Sequence, residues 1–123
     1  MRVQRNAELE DVAGRTKFMV GSITEIPFEN EKFDMVTCMG VMHEIRSPDG
    51  KQKAFREIYR VLKPDGVFYL SDLNRAHMIP YMGLFGMYFK DKAYWEEQIT
   101  KNKFKIVISN SQGSQIEFIT KKM

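Results

Sequence analysis

A chain of 123 residues, 43% hydrophobic and 28% charged, has the size and composition of one soluble domain with a modest core. Its 19 basic and 16 acidic residues are interspersed, so the formal net charge of +3 forms no basic stripe and argues against a nucleic-acid partner. A lone cysteine, Cys38, excludes an internal disulfide, and no Cys/His cluster has zinc spacing, which fits a reducing compartment, by default the cytoplasm, and no structural metal.

The N-terminal MRVQRNAELEDV lacks the apolar core of a secretory signal. Val3, Ala7, Leu9 and Val12 instead give an imperfect helical face over residues 2–13, stopped at Gly14. KFMVG at 17–21 is a short apolar run ending in glycine and reads as a first buried strand. SITEIPFENE holds Pro27, polar turn residues and room for one helical turn; KFDMVTCMG then gives a second buried strand ending at Gly40. From Lys51 to Leu62 the residues Ala54, Phe55, Ile58, Tyr59 and Leu62 recur at helical spacing, with Lys and Arg opposite. Pro64 ends that helix, Asp65-Gly66 turns the chain, and VFYLSDL is a third buried strand. Strand, helix and strand in this order predict a parallel crossover unit. MIPYMGLFGMYF at 78–89 is too short to span a bilayer and is broken by proline and glycine, so no membrane partner is expected. A second helix is predicted at 91–102 with Ala93, Trp95 and Ile99 inward, and FKIVIS, NSQG and SQIEFITKK predict an antiparallel hairpin.

Three stretches, GSITEIPFENEKFDMVTCMGVMHEI, KAFREIYRVLKPDGVFYLSDL and DKAYWEEQITKNKFKIV, resemble the class I S-adenosylmethionine-dependent methyltransferases, in particular the small-molecule type with a ubiquinone or arsenite methyltransferase style of core. The resemblance implies an α/β, partial Rossmann-like fold, with a mostly parallel sheet and a C-terminal antiparallel β-hairpin. It also implies S-adenosylmethionine as cofactor and a small-molecule methyl acceptor. It begins in the middle of the family's fold. The glycine-rich loop that lets the backbone approach the cofactor, and the acid that holds the ribose, have no counterpart, because Gly83 and Gly86 do not lead from a strand into a helix. The expectation is a single truncated domain over 1–123 whose strand at 17–21 has no neighbour. Three repairs are open: the sheet closes up, a second copy exchanges elements, or another polypeptide completes it. A homodimer comes first among them.

By the same resemblance Gly21, Ser22 and Ile23 grip the adenine end of the cofactor, with Ser22 where the family has an acid, and Cys38 and Met39 line the methionine end. His43 and Glu44 are the candidate bases, needed only if the acceptor still holds its proton. Three of these residues have a structural alternative. Ser22 can cap a turn, Cys38 can be a small buried hydrophobe, and His43 can cap or pack a short helix. Asp34 is a turn residue away from the pocket, and Asp72 is either a site residue or a strand terminator. Residues 74–89, rich in Met and aromatics, suit either an acceptor-selecting cap or an oligomer interface. Three identities stay open: a truncated methyltransferase domain, a non-catalytic remnant that dimerises or binds, and a fragment of a longer enzyme.

Overall fold

The structure, a computed structural model, describes residues 2–9, 13–74 and 90–123. Strands β1 (Phe33–Met39), β2 (Leu62–Leu73), β3 (Phe104–Gln112) and β4 (Gln115–Lys122) form one four-stranded sheet in the order β1-β2-β4-β3. Helix α1 spans Arg2–Leu9, α2 Pro48–Val61 and α3 Lys92–Lys101. Among the described residues no helix is long and apolar enough to cross a membrane.

Only β1 and β2 run parallel; β2–β4 and β4–β3 are antiparallel. The expected mostly parallel sheet is therefore corrected to a mixed, mostly antiparallel one. The crossover through α2 makes a single parallel pair, and the hairpin returns with β4 inside, adding two antiparallel pairs. The predicted strand at 17–21 is also absent. A short apolar run becomes a strand only where a neighbour satisfies its backbone, and none of the described residues pairs with this one. Met19 and Val20 are exposed instead.

No helical turn forms in the connection that follows. Ser22 and Glu25 close a tight turn, with the Glu25 N–H donating to the Ser22 carbonyl at 3.1 Å. The rest of the connection is fastened to α2 by an ion pair. Arg60 donates to the carbonyls of Ile26 (2.9 Å) and Phe28 (2.8 Å) and to Asn30 Oδ1 (2.9 Å), while Glu57 accepts the Ile26 N–H at 3.0 Å. Arg60 Nε also donates to Glu57 at 2.6 Å, and this hydrogen bond holds the Glu57 carboxyl below its ordinary range. Glu31 and Lys32 N–H groups meet the Arg60 and Val61 carbonyls at 2.9 and 2.8 Å, satisfying orphan acceptors at the end of α2.

Helix α2 begins earlier than the expected Lys51, because Ser47 is its N-cap, accepting the Gly50 N–H at 2.9 Å, and Pro48 fits the first turn. Ala54, Phe55 and Ile58 of the predicted stripe are buried, Tyr59 is half-buried, and Val61, outside that stripe, is buried as well. On α3, Trp95 and Ile99 are buried as expected but Ala93 is exposed. Gln98 takes an inward position instead, accepting a hydrogen bond from Gln52 of α2, while Asn102 donates to Gln52 at 3.0 Å. These bonds set α2 and α3 side by side over one sheet face. That face carries Cys38, Leu70 and Phe118 in one cross-strand row and Phe68 and Thr120 in the next. Each fully buried Phe or Ile of this layer contributes about 1.5–3 kcal/mol. On the opposite face Met35 and Met39 are exposed, and Tyr69 donates to Glu117 at 2.9 Å.

Candidate functional site

At the carboxyl end of β1, Gly40 adopts φ +69°, a left-handed conformation that glycine enters at no steric cost, while its N–H still reaches the Ser71 carbonyl at 2.8 Å. The chain thereby leaves the sheet and makes a 3-10 turn over Met42–Glu44, anchored by the fully buried Met42. The turn brings His43 onto the end of β2. Its backbone N–H donates to Asp72 Oδ2 at 3.1 Å, and its ring Nδ1 lies 2.7 Å from Asp72 Oδ1. Asp72 Oδ1 also accepts the Leu73 N–H at 2.7 Å. The Asp72 side chain is 1% exposed and acceptor-only, so it holds the proton of the imidazole at Nδ1 and, in the neutral ring, the lone pair at Nε2.

Cys38 lies buried beneath this pair. Burial first, and then the negative charge of Asp72, push its thiol up to about 11, against smaller help from the Met42 and Val41 backbone. It is a protonated thiol at neutral pH. Met39, the next residue, points the other way and is 66% exposed, as strand alternation requires. Glu44 is exposed, and its N–H closes the 3-10 turn on the Val41 carbonyl at 3.0 Å. Asp34 is exposed and ion-paired with Lys63 at 3.3 Å, at the far end of β1.

Gly21, Ser22 and Ile23 lie elsewhere. They line an open groove of about 650 Å³ with Ile26, Pro27 and Phe33, and none of Cys38, Met39, His43 or Glu44 borders it. The seven predicted site residues thus fall into two places, three in a groove beside the 22–28 turn and four at the carboxyl end of β1, where Met39 faces away from Cys38. The Ser22 hydroxyl is engaged within its turn, 2.8 Å from Thr24 Oγ1 and accepting the Thr24 N–H at 3.3 Å. Among the described residues no carboxylate lines the groove. Its volume and apolar walls fit a nucleobase, whereas nothing on them fits the paired hydroxyls of a ribose. Missing from the expectations was the pairing of His43 with Asp72, although both residues had been named separately. The expected acceptor-selecting stretch lies, apart from Asn74, outside the described residues.

A family model described as "Methyltransferase domain" matches residues 1–70. The chain belongs to that family. It is a class I S-adenosylmethionine-dependent methyltransferase sequence, 30% identical over 77 residues to the ubiquinone/menaquinone biosynthesis C-methyltransferase of Geotalea daltonii, which covers 63% of this chain and 32% of that protein. The methyltransferase chain here spans about a third of the length of that relative. Among solved structures, a SAM-dependent methyltransferase from Aquifex aeolicus superposes with TM-score 0.79 at 12% identity, covering 97% of this chain and 61% of that one. The [4+2]-cyclase SpnF superposes with TM-score 0.80 at 15% identity, over 96% of this chain and 60% of its own. These two likenesses carry the Rossmann-like fold alone, and the second belongs to a protein named for a different reaction.

Proposed function

We propose that this methyltransferase domain acts on a small molecule, with S-adenosylmethionine as methyl donor and the His43–Asp72 pair as the proton acceptor at the reacting end. The observation that carries the reading is the 2.7 Å contact between His43 Nδ1 and a buried Asp72 at the carboxyl ends of a parallel strand pair, the place where open α/β sheets bind ligands. When bound, S-adenosylmethionine supplies an electrophilic methyl group. Asp72 fixes the imidazole orientation and tautomer, and His43 Nε2 takes the proton that the acceptor gives up as it gains the methyl group. Ile23, Ile26 and Pro27 offer the adenine an apolar wall, and Ser22 offers no charge. The name of the Geotalea daltonii relative supports a planar quinone-type acceptor.

Calorimetric titration of the folded chain with S-adenosylmethionine tests this. Micromolar affinity is expected; no heat at several temperatures, in a protein shown to be folded, overturns it. A second reading, a remnant that pairs with another copy to complete its sheet, is favoured by the open edge of β1 and the exposed Met35 and Met39 beside it. Sedimentation equilibrium giving a strictly monomeric mass removes that second reading.

A further inference from the structure

Lys51 is the one lysine buried among the described residues, at 4% exposure, near the start of α2. Its Nζ lies 5.8 Å from the centroid of the Tyr94 ring, and Lys90 Nζ lies 5.3 Å from the same centroid. Two ammonium groups therefore share one aromatic ring. No carboxylate among the described residues forms an ion pair with either of them. Asp72 is near enough to act on Lys51 through space, but its oxygens are engaged by His43 and Leu73. The intervening sequence from 75 to 89 contains no Asp or Glu. Burial and the charge of Lys90 both lower the Lys51 pKa from its ordinary value.

A buried ammonium beside a like charge is costly unless an anion completes it. The neighbouring Trp95 adds a buried indole N–H with no acceptor among the described residues. Asp91 accepts the Tyr94 N–H at 2.9 Å and Glu97 acts on the Tyr94 hydroxyl through space, but neither carboxylate pairs with Lys51 or Lys90, in the quarter of the fold that also holds Asp72. We propose that Lys51, Lys90 and Tyr94 form a subsite for a planar molecule carrying an anionic oxygen, with Tyr94 meeting its ring and the two ammonium groups meeting its charge. This rests on the methyltransferase reading and deepens it, assigning the acceptor as an aromatic oxyanion and the two lysines as its orienting groups.

The test uses 4-hydroxybenzoate as the probe and 4-hydroxybenzamide as its neutral counterpart, with no cofactor added. Trp95 is the only tryptophan and packs edge-on to Tyr94 at 5.1 Å, so its fluorescence reports occupancy. Expected is a saturable change with the carboxylate, weakened about tenfold or more by Lys51→Met and by Lys90→Gln, and at least as much weaker for the amide. Lys51→Met removes a buried charge and Lys90 is only half-buried, so both variants should retain the wild-type melting transition. Absence of saturation, equal binding of the amide, or unchanged affinity in both variants overturns the subsite. Because the cofactor is left out, anion binding that survives a failed S-adenosylmethionine titration overturns the methyltransferase reading alone, and the converse overturns only the subsite.

Discussion

At Cys38, burial and the Asp72 charge raise the thiol from 9.0 to about 11, and the sign of the resulting pH effect follows directly. Below pH 9 the thiol is protonated in both folded and unfolded chains, so it contributes no pH dependence there. Between 9 and about 11 the unfolded thiol ionises while the folded one keeps its proton, so stability falls, by about 2–3 kcal/mol at the upper end. Urea unfolding of the wild type and of Cys38→Ala, followed from pH 8 to 10.5, should show a steeper alkaline loss in the wild type. Parallel curves would mean that the thiol does not feel this environment. Iodoacetamide should label the native thiol at pH 8 far more slowly than the unfolded one. Sequence reading reached these residues singly. Cys38, His43 and Asp72 were each visible as candidates at strand ends, but the bond between His43 and Asp72 joins positions 29 apart and depends on the left-handed turn at Gly40. No local pattern announces such a closure. Lys51 was read only as part of a helix's polar face, since burial of one lysine by a later helix leaves no trace in the periodicity.

Among the elements, the turn before the buried part of β2 separates two roles that Asp65 and Gly66 were assigned jointly. Asp65 carries the positive φ, +62°, whereas Gly66 is required for space: a Cβ there would lie 2.7 Å from the Lys63 carbonyl oxygen. Two substitutions should therefore move in opposite directions. Gly66→Ala forces backbone to shift and should cost about 1–3 kcal/mol. Asp65→Gly relieves a left-handed residue by about 1 kcal/mol, offset by greater freedom in the unfolded chain, and should be neutral or slightly stabilising. Thermal melts of both variants decide it; a larger loss for Asp65→Gly would contradict the turn geometry. Long periodic elements were the legible ones. The α2 stripe, the β1 run and the closing hairpin carry their pattern in their own residues. The run at 17–21 has the same local appearance as β1, but it lacks the partner that makes β1 a strand. Ala93 was misplaced for a related reason, because three apolar residues cannot fix the rotation of a ten-residue helix, and Gln98 settled it by bonding to α2.

For the molecule as a whole, the expectation of a mostly parallel sheet with a C-terminal antiparallel hairpin kept the hairpin and failed at one topological step. A hairpin can return beside the sheet with either strand inward, and the inner position of β4 follows from its buried Ile116, Phe118 and Thr120, which match β2 residue for residue. β3 is exposed along most of its length and takes the edge. Fold class and family were legible because the segment from the glycine at 21 to the end of β2 is the most patterned part of the chain. The division of the predicted cofactor residues between a groove and a separate cluster was not, because it depends on how the Arg60–Glu57 pair draws the 22–32 connection down against α2.

The Gly40 to Ser71 bond fixes which way the amides of β1 point. In a strand the N–H groups alternate sides, so those of Val36 and Cys38 face β2 with that of Gly40, and those of Thr37 and Met39 face outward from the edge. Deuterium uptake along β1 should accordingly have a two-residue rhythm, slow at 36, 38 and 40 and fast at 37 and 39. A second chain docking along this edge would erase the rhythm by slowing the fast positions, which makes two amide signals a direct reading of whether the sheet ends at β1 or continues into another molecule.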